Sequence, residues 1–557
     1  MFKKLRMVPV AIPLVIMGAI IIISFISGEQ FIDIMTNFFV GLMSGFGWIV
    51  LLVVLSMVIF LVVLFVHPIG NTKFGGPDAK PKYKTWMWFA ISLCAGIGSG
   101  IVFWGATEPL MHSFNPPLEA GVVAGTTEAI VWGMSKSFLH WCLSPYAIYV
   151  VPGVVIGYAY YNMHKAYSVS SGLVFLNNGK DLNPKLQNII DGFTMFALVG
   201  GVAGSLGYTV MQMGSSMDSV FGLGTGPMMW TILAVGIIAF YTISSATGLN
   251  KGLAWIADKN AWIYMVLLVF MILVGPASYI ANLTTQSFGN YISNFIELST
   301  FTSPVVGGTQ WAQWWDEYWM VDWMSFGTLM GLFFVKLAHG RTIREFIVVN
   351  LFMPALFGVI WFGVFGGFAI HLQIAGVADM VSFLNEFGPE AFMMNLFNYV
   401  PGTLIVQIVM LITIILSIVT CCDSMTQTLS SMSLKHAKDG AEAPLAVKLF
   451  WGILIGAVSL IFVLSGGIEG IKIVKTIAGF PIVFLELIMM LGFIYHMVKK
   501  RNKRDEVEYA DLVKERNAEL DASYAEEMAG TIKKREEKAR KKAAKKAEKE
   551  GKESTED

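Results

Sequence analysis

The sequence predicts an all-α integral membrane protein with twelve transmembrane helices, and three observations carry that prediction. Of 557 residues, 55% are hydrophobic and only 14% charged, too few ions to cover the surface of a water-soluble globule of this size. The charge is also crowded into one end: the 59 residues from Lys499 onward hold 18 of the 39 basic and 16 of the 39 acidic side chains. What precedes them is a succession of apolar runs, each near the roughly 20 residues a helix needs to cross hydrocarbon, where no water satisfies the backbone. A formal net charge of zero argues against a nucleic-acid partner, whose phosphates require a basic excess. Cys94, Cys142, Cys421 and Cys422 are too few and too apolar in context for a disulfide scaffold.

In order, the spans fall near residues 7–28, 38–66, 86–107, 129–159, 192–214, 228–247, 261–283, 318–338, 346–371, 401–422, 446–466 and 475–497. The first follows Lys3, Lys4 and Arg6 and has the look of a signal peptide. Its 21 uncharged residues from Met7 to Ser27 lack a clear small-residue cleavage site, so it is read as a retained span. The second and fourth exceed the bilayer thickness and must tilt or extend beyond it. With the amino terminus cytoplasmic, 18 basic side chains, among them Lys73, Lys80, Lys165, Lys251, Arg341, Arg344 and Lys438, fall on the inner side. Only Lys472 and Lys475 fall outside, and Lys136 lies within a helix. That bias places both termini in the cytoplasm of a multi-pass cell-membrane protein. Residues 284–317 are expected on the outer face, and 372–400 are read as containing a short lid. In the tail, Thr531 to Glu550 has ten basic and four acidic residues among alanines, a solvated segment that either senses anionic lipid or only solubilises.

Chemistry-bearing residues concentrate in four spans. Gly96, Gly98 and Gly100 in the third permit local unwinding, tolerated in a membrane where backbone faces protein, water or a ligand. Close packing of two helices is the alternative. Pro109, in Thr107-Glu108-Pro109, is expected to end that helix. The fourth span offers Trp141, Tyr146 and Tyr149, with Pro145 altering the geometry between them, and the eighth offers Trp323 and Phe326. Rings from two helices can surround a quaternary ammonium group, though an ordinary aromatic core has the same composition. In the tenth span the Thr420 hydroxyl and exposed carbonyls suit a small hard cation, whereas the Cys421 sulfur does not.

Together these features resemble the betaine/choline/carnitine transporter family. The resemblance rests on the glycine triplet with Thr107-Glu108-Pro109, on His140-Trp141 with Pro145, Tyr146 and Tyr149, on Trp323 followed by Gly340-Arg341-Thr342-Ile343-Arg344, and on Thr420 with Asp423-Ser424. It implies two leading helices followed by inverted five-helix repeats of LeuT-like architecture, and assembly as a homotrimer. The corresponding parts are residues 1–85 with the two leading helices, 86–317 as the first repeat with its outer connection, 318–497 as the second repeat, and 498–557 as a cytoplasmic tail. It implies an aromatic box at Trp141, Tyr146, Tyr149 and Trp323 with Phe326 nearby; Tyr146 and Phe326 stand where some betaine-carrying members have tryptophan. Asp322 is expected to point to an outer vestibule, since adjacent residues are not expected to face one box.

The family's second sodium site would take backbone oxygens from Cys94, Ile97 and Ser417 and side-chain ligands from Thr420 and Cys421, the last lacking the expected hydroxyl. The resemblance implies import of a small methylated onium compound, most simply glycine betaine, by sodium symport and alternating access, with no enzymatic activity and no cofactor beyond the coupling ion. Proton-coupled or exchange transport of choline or carnitine is the rival. Its candidate titrating groups are Glu108, Glu128, His140 and Asp423, with Lys136 as a candidate internal cation. A channel and a non-transporting receptor are the remaining classes.

Overall fold

A computed structural model describes residues 5–27, 30–246, 252–304, 310–435 and 443–499, and within the tail 529, 533, 536 and 537. The tail reading for Thr531 to Glu550 therefore lies almost wholly outside the described residues, as do the inner-side assignments of Lys3, Lys4, Lys251 and Lys438. The chain divides into two units, Met1–Phe493 and Ile494–Asp557, and the first holds all but the last turns of the helical bundle.

Among the described residues the regular structure is helical, and the β-pairing consists of two isolated bridges, Leu5 with Leu434 and Lys73 with Thr342. The helices are α1 (Met7–Ser27), α2 (Gln30–Val66), α3 (Thr85–Ile97), α4 (Gly100–Trp104), α5 (Thr107–Phe114), α6 (Thr127–Trp141), α7 (Leu143–Gly157), α8 (Pro184–Phe221), α9 (Pro227–Ala246) and α10 (Gly252–Val274). They continue with α11 (Ala277–Ser293), α12 (Phe295–Ser299), α13 (Tyr318–Leu337), α14 (Ile343–Ile347), α15 (Met353–Ile374), α16 (Met380–Phe387), α17 (Pro389–Leu396), α18 (Thr403–Met432) and α19 (Leu445–Lys499). Among the described residues, nine helical stretches are long and apolar enough to cross a membrane, and two shorter apolar stretches, Thr85–Gly96 and Pro227–Tyr241, accompany them.

Four departures from the sequence reading have physical causes. The fourth span is two helices, because Pro145 has no N–H to return to the Trp141 carbonyl four residues back; the chain turns at Cys142 (φ −109°, ψ −105°), which leaves Pro145 in the first turn of α7. Pro109 does not end its helix. It sits in the first turn of α5, which runs on to Phe114. The seventh span lies nearer the amino terminus than expected, since Gly275 and Pro276 close α10 and residues 277–283 begin α11. The last two apolar runs form two helical arms of α19 that meet at a kink at Gly467 (φ 52°, ψ −133°), so the second arm begins earlier than expected. Lys472 and Lys475 consequently lie on the second arm, 6% and 3% exposed, and not in an outer loop.

Burial separates the middle of the bundle from its rim. In the span Gln313–Leu337, 94% of the most apolar window is buried, against 22% in Met7–Ser24, so α13 is central and α1 presents apolar side chains outward, as a lipid-facing helix must. α13 packs on α7 through glycines: a methyl group on Gly331 would collide with the Gly153 backbone nitrogen. The Gly340-Arg341-Thr342-Ile343-Arg344 motif ties elements together. Thr342 and Glu345 form a reciprocal cap on α14, and Arg344 Nε donates to the Phe65 carbonyl at 2.8 Å, satisfying the end of α2.

Candidate substrate cavity

The cavity begins at the break between α3 and α4. Gly98 has φ 57° and ψ −139°, a conformation that glycine adopts without strain, and the chain resumes its helix at Gly100. The Ser99 carbonyl accepts from Val102 and Phe103 N–H, both at 3.1 Å. Gly96 offers its carbonyl to the Tyr149 hydroxyl at 3.5 Å. Gly100 faces the Trp141 ring so closely that any side chain there would displace it.

Beside the break lies a buried cavity lined by Trp104, Trp141, Tyr149, Trp319, Trp323 and Phe326, together with Tyr208, Ser99, Ser205, Gly96, Gly100, Cys421, Asp322 and Lys475. Four of the five sequence-predicted ring residues therefore meet here. The Trp141 and Trp323 centroids are 5.1 Å apart at 88°, and Tyr149 and Trp323 are 6.0 Å apart at 76°, edge-to-face arrangements that suit ring quadrupoles. Tyr146 does not line the cavity: it packs behind Tyr149, 6.4 Å away, and beside Gly96. One helical turn of offset puts one tyrosine inside and the other in the wall.

Asp322 corrects an expectation. It lines the same cavity as Trp323, because successive helical positions differ by about 100° and a cavity that wraps that far around α13 reaches both. Asp322 Oδ1 lies 2.6 Å from Lys475 Nζ. Lys472, one turn earlier, donates to the Trp314 carbonyl at 3.1 Å and stands 4.1 Å from the Trp315 ring and 4.8 Å from Tyr318.

A chain of buried charged groups holds the outer edge of the rings. Trp141 Nε1 donates to Glu108 Oε2 at 2.7 Å, and Trp323 Nε1 donates to the His140 carbonyl at 2.9 Å. Glu108 Oε1 also bonds His140 Nδ1 and, at 3.2 Å, His112 Nε2. His140 Nε2 meets Asp316 at 2.6 Å, and Lys136 Nζ reaches Asp316 at 2.6 Å and the Leu298 carbonyl at 2.9 Å. Lys136 is thus committed to Asp316. Glu128 is exposed near the start of α6, and Asp423 is buried in α18.

The positions expected to hold sodium lie where α3 meets α18. The Cys421 side chain rests 3.5 Å from where a Gly98 Cβ would be. Ser417 and Thr420 each donate their hydroxyl hydrogen to their own helix, to Thr413 O at 2.6 Å and Leu416 O at 2.7 Å, which leaves oxygen lone pairs available. Two residues absent from the sequence reading join them: the Tyr264 hydroxyl is 2.6 Å from Ser417 Oγ and 3.5 Å from the Gly98 carbonyl, and Asn260 Nδ2 donates to Ser417 Oγ at 3.0 Å. Cys94 Sγ is directed to Ala257 O at 3.5 Å, and Ile97 is the last residue of α3. Asn260 and Tyr264 thus occupy Ser417 Oγ, and Thr420 Oγ1 is the hydroxyl left to offer a hard cation, a task to which the soft Cys421 sulfur is unsuited.

Interrupted helices around a buried, ring-lined cavity in an apolar bundle define the class of multi-pass membrane carriers. The family model described as BCCT, betaine/carnitine/choline family transporter, matches residues 9–502, and the chain belongs to that family. An ectoine/hydroxyectoine transporter of Virgibacillus pantothenticus is 31% identical over 463 residues, covering 83% of this chain and 90% of the relative. A glycine betaine transporter of Bacillus subtilis is 30% identical over 473 residues, covering 84% and 90%. Among solved structures, a sodium-coupled sialic acid symporter in a substrate-bound outward-open state is 13% identical, with a TM-score of 0.44 over 80% of this chain and 86% of that one.

Proposed function

We propose that this transporter imports a small onium solute, glycine betaine foremost, together with sodium and by alternating access. The observation that carries the reading is the convergence of Trp141, Tyr149, Trp323 and Phe326, from α6, α7 and α13, on one buried cavity beside the broken α3. A methylated ammonium has no N–H to donate and spreads its charge, so ring faces attract it where water would not compete. The names of the two relatives support a solute that carries both charges, since betaine and ectoine are each zwitterions. The cavity is small, about 20 Å³, room for one or two waters. Solute binding must therefore spread the rings.

In this reading α1, α2, the α3 to α5 series, α6 with α7, α8, α9, α10, α13, α14 with α15, α18 and the two arms of α19 about Gly467 make twelve crossings. The first two lead, and inverted five-helix repeats begin at α3 and α13. Both termini are cytoplasmic, the unit assembles as a trimer, and the tail contacts anionic lipid. Sodium would be held by the Thr420 hydroxyl with the backbone carbonyls of Cys94, Ile97 and Ser417. One accompanying cation gains about 2.3 kcal/mol per 100 mV of inside-negative potential, enough to accumulate a neutral zwitterion.

Proton-coupled or exchange transport of choline or carnitine is the second reading, favoured by the buried Glu108, His140, Asp316 and Lys136 chain that touches Trp141 directly. Purified protein in sealed vesicles, loaded with sodium and proton gradients one at a time, distinguishes them. Labelled betaine should accumulate with an inward sodium gradient alone. Accumulation driven only by a proton gradient, or only by internal unlabelled solute, would reject sodium symport.

A further inference from the structure

The ring-lined cavity contains a pair of opposite charges, and we propose that this pair, Asp322 with Lys475, makes the site select zwitterions over solutes of net positive charge. The inference rests on the cavity being an onium site and adds which electrical class of onium compound it accepts. Lys475 and Asp322 are 3% and 2% exposed, lie 2.6 Å apart, and line the cavity with Trp141, Tyr149, Trp323 and Phe326. The ammonium stands 5.6 Å from the Phe326 ring and 5.4 Å from the Tyr208 ring, with Ser205 Oγ at 3.5 Å. Lysine enters from α19 because Gly204 of α8 leaves a groove for its stem, which any side chain at 204 would fill.

Charge balance supplies the selectivity. Asp322 alone would draw net cations into a site that burial makes expensive to charge. Paired with Lys475, it leaves the cavity neutral, so a choline-like solute adds an uncompensated positive charge beside an ammonium already present. A betaine-like solute brings both signs. Its onium head takes the ring faces and the Asp322 side while its carboxylate takes Lys475, and the sum stays zero. The neighbouring charged residues are engaged elsewhere: Lys472, on the same helical arm as Lys475, is held at the Trp314 carbonyl, and Glu108 is engaged by Trp141, His112 and His140.

The test is tryptophan-fluorescence titration of the full-length protein in detergent with glycine betaine and with choline, checking each variant for a single symmetric elution peak. Unmodified protein should prefer betaine by about tenfold or more, the scale on which removal of an opposite charge is felt at close range. Lys475→Gln frees the Asp322 charge and should move the ratio toward choline by about tenfold or more. Lys475→Arg should keep the betaine preference, and the doubly neutral Asp322→Asn, Lys475→Gln protein should lie between the two. If Lys475→Gln does not fold, Asp322→Asn decides, since the freed ammonium should weaken choline more than betaine. A ratio that ignores these charges, with both solutes still bound, overturns the charge rule while leaving the onium site standing. Binding of neither solute to unmodified protein overturns the onium site itself, and the charge rule with it.

Discussion

At the scale of single residues, Trp323 is held from two directions. Its N–H is used by the His140 carbonyl and its face is crossed by the edge of Trp141, so the ring cannot rotate away without losing both. Trp323→Leu keeps an apolar filler but removes the ring face, and betaine affinity should fall by roughly tenfold, the worth of one desolvated cation–π contact. Calorimetric titration reads this directly; an unchanged affinity would remove Trp323 from the site. Glu108 positions Trp141 through its N–H and is itself bonded by two histidines. Glu108→Gln leaves His140 Nδ1 without its carboxylate, Asp316 remaining at Nε2, so thermal unfolding in detergent should shift downward by several degrees, and solute affinity should fall with it. Trp141, Tyr149, Trp323 and Phe326 were legible in the sequence because aromatic pairs at helical spacing inside apolar spans are visible as such, whereas Trp104, Trp319 and Tyr208, which line the same cavity, were not among the residues expected there. Lys475 was not. A basic residue beside an apolar run reads as a loop residue when glycines precede it, and only the helix that resumes directly after Gly467 shows it buried within the bundle.

Among the helices, the informative positions are those where a rule of regular structure is broken. Gly98 adopts a backbone conformation that a side chain resists, and Gly98→Ala should cost about 1–2 kcal/mol of strain. The alanine also points toward Cys421, so sodium dependence should shift to higher concentration in vesicle uptake while solute contacts remain. Gly331 serves packing instead. Gly331→Val would push α13 off α7, where a methyl group already meets the Gly153 nitrogen, and should lower the unfolding temperature whether or not solute is present. The glycine triplet announced the first of these roles in sequence. Which glycines bend the chain and which admit a neighbour depends on what lies opposite, and no local pattern contains that. The break at Cys142 is a similar case: Pro145 marks it, but a proline within a long apolar run is equally compatible with a kinked continuous helix.

Across the whole molecule, apolar runs were enough to predict a helical membrane protein, because hydrocarbon allows so few solutions for the backbone. The ends of spans were less legible, and each discrepancy lies at a proline or glycine: Pro109, Pro145, Pro276 and Gly467. The twelve-crossing plan has a direct test. A reporter enzyme active only in the cytoplasm, fused to either terminus, should be active at both, and a reporter inserted between α11 and α12 should be silent. Activity at that insertion would invert the plan.

The wall of the cavity also has a seam. Trp141 belongs to a rod fastened outward through Glu108 and Asp316, whereas Tyr149 belongs to a different rod, pressed to α13, and the two meet at the single residue Cys142. A change in the backbone angles at that residue would widen the container at the expense of the bond from the Trp323 N–H to the His140 carbonyl, which spans the seam, and a solute larger than the present space need not melt either rod to be received.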